Sequence, residues 1–397
     1  MKAHIPYGAY WSSPFCRWQG AFANIHAFEL ASAVGKLALA QRRIDLASVE
    51  MGVLGSTVPQ KGSFYGLPWL SAQLGAPHLA GPTIAQACAT GARVLATAAH
   101  EVEQGVRSVL TVTTDRISNG PQLYYPNPNG PGGSGSGENW VLDNFARDPW
   151  ASVAMIETAE NVAAKYRIDT AEQHNLVLVR YNQYEQARLG ENAFHKRFMV
   201  APFQVPGGRN SPIVVSDEGI QATTAERIAK LKPVREGGTV THAGQTHPAD
   251  GTAGMLVTDA ARARDFATNA AIAVEIVSFG QARVETAMMP EAPIPAAKQA
   301  LERAGLVVGD IAAIKTHNPF IVNDIAFARA FGIDAVKSMN NFGCSLVWGH
   351  PQGPTGTRAI IELIEELALR GGGYGLFTGC AAGDSAMATI IKVSDAR

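Results

Sequence analysis

The chain of 397 residues is long enough for two or three domains around a sizeable core, which excludes a peptide or a small disulfide-stapled module. Its formal net charge of −1 offers no attraction to a nucleic-acid backbone or an anionic membrane surface. Only 17% of residues are charged, while 46% are hydrophobic and 40 are glycine, so much surface is expected to be buried in a large core or between subunits.

From the N-terminus, residues 1–12 carry Lys2 as their one fixed basic side chain and Pro6 soon after, and no apolar stretch of signal-peptide type follows. No apolar run reaches the ~18 residues that span a bilayer. Residues 50–54 read as a strand, 90–104 as a helix, and the β-branched run 109–114 as a second strand, an alternation that predicts an α/β fold. Over 117–150 the composition turns to Asn, Pro, Gly and aromatics, too long for a plain connection and suited to an excursion across a site. Helical patterns return over 152–166 and 170–189. Strands are expected at 312–315 and 374–378.

A weak internal repeat points to a duplicated core. Thr90-Gly91-Ala92-Arg93 opens a helix that ends near Gly105 and feeds the strand at 109, and Thr355-Gly356-Thr357-Arg358 opens one that ends near Gly371 and feeds the strand at 374.

Four positions carry chemistry. Cys88, in Gln86-Ala87-Cys88-Ala89-Thr90-Gly91, sits where a loop enters a helix. Unpaired N–H groups and the helix dipole favour a thiolate there, though the same position also suits a small buried hydrophobe. His350, in Trp348-Gly349-His350-Pro351, lies on a Gly- and Pro-rich loop that either projects an imidazole into a cleft or leaves it solvated. His317 and Cys380 each follow a predicted strand, at the sheet edge where α/β proteins bind ligands. None of the cysteines Cys16, Cys88, Cys344 and Cys380 forms a Cys-x-x-Cys pair, so reduced thiols in a cytoplasmic protein are expected. Residues 132–137 are Gly-rich but lack the Lys-Ser/Thr of a phosphate-binding loop. The irregular spacing of His242, His247 and Asp250 does not make a metal site.

Taken in order, the segments around Cys88, His317 to Phe320, Gly349 to Pro351 and Cys380 to Asp384 resemble the motifs of the thiolase family. Those motifs are a nucleophilic cysteine before a small-residue helix, an Asn-Glu-Ala-Phe-like segment, Gly-His-Pro and a C-terminal Cys-x-Gly-x-Gly. Thr158 to Ala163, Pro293 to Ala296 and Ala300 to Gly305 also look thiolase-like, so the resemblance spans most of the chain. It implies two similar βαβαβαββ halves in five layers, α-β-α-β-α. Residues 1–117 with 239–270 would form the first half, 118–238 an inserted loop domain, and 271–397 the second half.

The resemblance further implies thiolytic cleavage of a 3-oxoacyl-CoA, or the reverse Claisen condensation, with coenzyme A and acyl-CoA as substrates and no resident cofactor or metal. Cys88 would accept the acyl group, His350 would activate it, and Cys380 would move the α-proton. His350 with His317 would form one oxyanion hole, and backbone N–H groups of Cys88 and Ala382 the other. A homodimer or homotetramer, with or without a small accessory subunit, is the expected assembly. Tyr124, Tyr125, Trp140 and Met155 of the insert, with Met289, are expected to line the acyl pocket.

Three departures stand out: His317 and Pro319 in the second motif, Ala382 and Asp384 where glycine is usual, and Ala154 before Met155. A decarboxylating ketoacyl synthase shares the implied fold, but a second thiol suits proton abstraction rather than decarboxylation. A non-catalytic acyl-CoA-binding subunit would have no need of both cysteines and both histidines.

Overall fold

A computed structural model describes residues 3–208, 210–221 and 223–395. The first sheet contains β1 (Tyr10–Ser12), β2 (Met51–Gly55), β3 (Thr83–Ile84), β4 (Ser108–Arg116) and β5 (Ala249–Thr258) in the order β1-β5-β4-β2-β3, with the short strand Cys16–Arg17 also paired to β5. β2 is parallel to β3 and β4, and β5 is antiparallel to β4 and β1. The second sheet contains β6 (Ile272–Arg283), β7 (Ile311–His317), β8 (Gly372–Ala381) and β9 (Ser385–Asp395) in the order β6-β9-β8-β7, with β7 and β8 parallel and the other pairs antiparallel. Because β9 pairs along the whole of β8, the strand expected at 374–378 runs on to Ala381. Cys380 is therefore inside the strand, and His317 is the last residue of β7.

The helices that frame these sheets are α1 (Ala27–Arg42), α2 (Thr90–Glu103), α3 (Met155–Tyr166), α4 (Thr170–Asn192), α5 (Pro293–Ala304), α6 (Ile321–Phe331) and α7 (Gly353–Leu369). α1 packs on the first sheet, α5 on the second, and α2 and α7 lie against each other between them. The result is the five-layer α-β-α-β-α arrangement. A central helix has no solvent face, and every residue of α7 from Gly353 to Ala368 is buried.

The glycines of the repeated tetrapeptide have a physical reason here. A Cβ on Gly91 would lie 2.5 Å from the Thr357 nitrogen and 2.8 Å from the Gly353 oxygen, so only glycine permits the close approach of α2 and α7.

The chain leaves the first sheet at Arg116 and re-enters it at Ala249. Between them lie the hairpin Gln122–Tyr125 and Ser136–Asn139, then α3 and α4. α3 starts later than the pattern suggested, because the Asp148 side chain accepts hydrogen bonds from the Trp150 (2.7 Å) and Ala151 (2.8 Å) N–H groups and Ser152 has φ +57°, which makes a turn. The regular part of α4 ends at Leu189, where the backbone leaves helical geometry.

Two ion pairs of fully buried side chains fasten this excursion to the core. Arg358 of α7 grips Asp217 through two bonds of 2.6 and 2.7 Å, and Arg180 of α4 meets Asp324 of α6 at 2.8 Å. Breaking such a pair from one side leaves a buried charge without its partner, typically at a cost of ~3–5 kcal/mol. Among the described residues no helix is long and apolar enough to cross a membrane.

Candidate active site

Cys88 sits in the turn between β3 and α2. Ala87 is held at φ +43°, and Thr90 secures it: its hydroxyl donates to the Ala87 carbonyl (2.7 Å) and accepts from the Gln86 N–H (2.8 Å). The residue is partly exposed and borders a cavity. Burial pushes this thiol up to about 12, while the N–H groups of Ala382 and of Cys88 itself pull the other way. Desolvation wins over the helix terminus, so the resting nucleophile is a thiol and not the thiolate that its position suggested.

His350 follows Gly349 (φ +94°), and its N–H donates to the His247 carbonyl at 2.9 Å. Its Nδ1 shares a 2.7 Å hydrogen bond with the Thr355 hydroxyl at the start of α7. His317 is likewise bound through Nδ1, to the Ser345 hydroxyl at 2.9 Å. The rings stack with centroids 4.0 Å apart and planes inclined by 29°. Both Nε2 atoms are buried without a partner among the described residues.

Burial lowers His350 to about 3. His317 is held well below its ordinary value by burial and by the neighbouring ring. Both imidazoles are therefore neutral at pH 7. A hydroxyl can donate or accept, so each ring is free to present Nε2 either as a base or as an N–H donor.

The Cys88 sulfur and the ring nitrogens lie within 4.8 Å of one another. Rings stacked at so small an angle cannot both hold one ion in their planes at a Zn–N distance of ~2.0–2.1 Å. A longer hydrogen bond to a shared oxygen tolerates the geometry better. The cluster suits an oxyanion more than a metal.

Cys380, fully buried in β8, receives a hydrogen bond from Asn323 Nδ2 at 3.2 Å. Burial raises this thiol, as does the charge of Cys88 when ionised. Asp324, next to Asn323, holds the His317 segment in place by accepting from Thr316 Oγ1 (2.6 Å), Asn318 Nδ2 (2.8 Å) and Asn340 Nδ2 (2.9 Å). On the other side Asp115 accepts from the N–H groups of Thr57, Val58 and Gly353, joining β4 to the His350 loop.

A cavity of about 570 Å³ opens over these groups. Cys88, His350, Ala382, Trp140, Met155 and Met289 line it, together with Thr57, Phe145, Gln245, Phe320 and Gln352. His317 and Cys380 lie behind the lining, with no side-chain surface exposed. Tyr124 and Tyr125 do not border it. They sit on the hairpin, 65% and 47% exposed, because strand alternation and pairing with Ser136 and Gly137 turn that ribbon to the surface. A second groove, about 470 Å³, carries Arg17, Arg227, His242 and His247 beside Trp18 and Tyr181, and it shares Gln245 and Pro248 with the first.

One departure noted in the sequence finds its reason here. Asp384, at φ +56°, uses its carboxylate to accept the N–H groups of Ala287 (2.9 Å) and Met288 (3.0 Å), and so anchors the segment that carries Met289. Asn318 gives its amide to Asp324, and its carbonyl accepts from the Leu346 N–H (3.1 Å), which locks the turn that Pro319 continues. Asn323 and Ser345 carried no local signal in the sequence, and Thr355 carried only that of the repeat: each is an ordinary helix-start or loop residue until the fold sets it against a cysteine or a histidine.

Comparison with known proteins places these features in context. The description "Thiolase, N-terminal domain" matches residues 10–261, and "Thiolase, C-terminal domain" matches residues 270–393. An acetyl-CoA acetyltransferase of Paracoccus denitrificans is 30% identical over 389 residues, covering 96% of this chain and 97% of its own. The human mitochondrial 3-ketoacyl-CoA thiolase is 26% identical, covering 96% of each chain. Among solved structures, the Bacillus anthracis acetyl-CoA acetyltransferase superposes with a TM-score of 0.90 at 25% identity, covering 99% of this chain and 98% of its own. The human mitochondrial 3-ketoacyl-CoA thiolase in complex with CoA gives 0.88 at 24% identity, covering 98% and 97%.

Proposed function

The chain belongs to the thiolase family, and from that premise we propose that Cys88, His317, His350 and Cys380 are the catalytic residues of its CoA-dependent acyl transfer. The observation that carries this reading is the convergence of two thiols and two neutral imidazoles with unpartnered Nε2 atoms on and just behind the wall of one cavity. In thiolysis, His350 takes the Cys88 proton as the sulfur attacks C3 of a 3-oxoacyl-CoA. The N–H groups of Cys88 and Ala382 receive the oxyanion that forms there. The C2–C3 bond then breaks and its electron pair passes to C2, giving the enolate of acetyl-CoA. The enolate oxygen rests between His317 and His350, and Cys380 protonates the carbon. As acetyl-CoA leaves, the proton on His350 returns to Cys380; His350 next takes the proton of free CoA as its sulfur attacks the acyl-Cys88 thioester, and gives that proton to Cys88 as the shortened acyl-CoA departs. Condensation is the reverse sequence.

The order of events has an electrostatic reason. Ionised Cys88 opposes ionisation of Cys380, and acylation removes that charge before Cys380 must act as a base.

The basic groove beside the cavity suits the phosphorylated end of CoA, with the pantetheine passing Gln245 and Pro248 toward Cys88. We read residues 118–238 as the domain that covers the substrate, with residues 1–117 and 239–270 and residues 271–397 as the two halves beneath it. Phe64 and Tyr65, 95% and 71% exposed, support a homo-oligomer. The four unpaired cysteines support a reducing, cytoplasmic setting.

Incubation with acyl-CoA followed by intact mass and peptide mapping is expected to place one acyl group on Cys88, and none in Cys88→Ala. In Cys380→Ala the acyl-enzyme should still form, while deuterium exchange at the methyl group of acetyl-CoA collapses. Acyl label persisting in Cys88→Ala, or wild-type exchange in Cys380→Ala, would remove the respective residue from the mechanism.

A further inference from the structure

We propose that Asn323 is a further catalytic residue: its Nδ2–H donates to the Cys380 sulfur and stabilises the negative charge that this sulfur bears while it serves as the base. The inference rests on the reading of Cys380 given above and adds the group that makes it workable.

Asn323 occupies the third position of α6 and is 2% exposed. Its Oδ1 accepts the Phe320 N–H at 3.3 Å, closing the helix N-terminus. That bond fixes which way the amide faces, since an oxygen and not an NH₂ must meet the N–H. The NH₂ group then has two neighbours, the Pro290 carbonyl at 3.4 Å and Cys380 Sγ at 3.2 Å. With two hydrogens and two acceptors, the amide is fully used.

A buried thiol needs such a donor. Cys380 lies in the middle layers with none of its side chain exposed, and of the ionisable groups near it Cys88 and Asp324 both oppose a negative sulfur. The interactions that favour it are the Asn323 side chain and the Cys380 N–H. A hydrogen bond to an ionised group is stronger than one to a neutral group, so the same contact does little for the resting thiol and more for the base. The Pro290 carbonyl ties the amide to the segment that carries Met289, and β8 fixes the sulfur, so neither partner can drift.

Asn323→Ala removes the donor. Asn323→Asp is close in shape and keeps an oxygen for the Phe320 N–H, but it turns a second oxygen on the sulfur. The two variants, wild type and Cys380→Ala are compared in two assays: exchange of the acetyl-CoA methyl hydrogens in D₂O across pH, and the rate of Cys88 acylation. Losing one charge-assisted bond is expected to slow exchange ~10–100-fold in Asn323→Ala and further in Asn323→Asp. The alkaline rise of the exchange profile should move up by ~1–2 pH units, with acylation within about threefold of wild type. Exchange at the wild-type rate in Asn323→Ala overturns the proposal, as does a parallel fall of exchange and acylation with the profile in place. If Asn323→Ala does not fold, Asn323→Asp decides by the same readings. Exchange persisting in Cys380→Ala would instead overturn the role of Cys380, so the two failures are told apart.

Discussion

At Cys88 two effects of opposite sign meet. The start of α2 and the Ala382 N–H favour a thiolate, while removal from water favours the thiol, and the balance lies near 12. On the mechanism proposed above, the nucleophile is therefore formed in the act of attack, by transfer of its proton to His350, and does not wait as an anion. Alkylation of Cys88 by iodoacetamide should therefore be slow at pH 7 and keep rising past pH 9. A plateau below pH 8 would show a preformed thiolate. His350→Ala should slow acylation by ~10²–10⁴-fold, the usual worth of a positioned base. His317→Ala should leave acylation less affected and chiefly slow the carbon–carbon step, where the enolate oxygen loses a donor. Equal losses in both steps for both variants would mean that the imidazoles do not divide the work.

Elements rather than single residues shape the two ends of the substrate. α3 brings Met155 to the cavity, and the segment after β6 brings Met289. That segment is held by Asp384 from the β8–β9 turn and by Asn161 Nδ2, which donates to the Ala287 carbonyl at 3.0 Å. Trp140 is fixed by donation from its Nε1 to the Thr57 carbonyl at 2.9 Å. Met155→Ala and Met289→Ala should shift kcat/KM toward longer acyl chains by ~10-fold, about one or two buried methylenes of discrimination, with KM for CoA unchanged. Arg17→Ala with Arg227→Ala should do the reverse, raising KM for CoA with acyl preference intact. Alanine at Tyr124 and Tyr125, on the exposed hairpin, should alter neither. A uniform loss with all substrates in the methionine variants would mark those residues as packing alone.

Over the whole molecule, buried titratable groups set how stability depends on pH. His195 is lowered to about 4 and His350 to about 3 by burial, and His317 is also lowered. All three stay neutral in the fold but gain a proton in the unfolded chain below pH ~6.5, so the stability they contribute above that value is lost as pH falls. Asp115 and Asp250 act oppositely. Burial raises both to about 6, and their contribution is present at low pH and lost as pH rises through about 6. Burial lowers His26 and His174 as well, so the lowered histidines outnumber the two raised carboxylates and acidification from pH ~6.5 toward ~4.5 is expected to favour unfolding. Scanning calorimetry should show Tm falling over this range. His195→Phe, away from the cavity, should flatten it. A Tm that rises on acidification of the wild type would show that the carboxylates dominate.

The amino-acid sequence alone determined the α/β alternation and the repeated Thr-Gly-x-Arg helix starts, and it singled out Cys88, His317, His350 and Cys380 as candidates. Each of those signals is local. Hydrophobic periodicity writes the elements, the glycine of each Thr-Gly-x-Arg segment marks where two helices must touch, and reactive residues at strand ends or in glycine-rich turns declare themselves by neighbours one or two positions away. The tertiary structure decided what depends on groups far apart in the chain. It turned Tyr124 and Tyr125 to the surface while bringing Trp140, Met155 and Met289 to the cavity. It set Ser345 and Thr355 against the imidazoles, Asn323 against Cys380 and Asp384 beneath Met289. It also reversed the expected ionisation of Cys88, because a helix start is visible in a few residues, whereas desolvation is produced only when distant layers close around the sulfur.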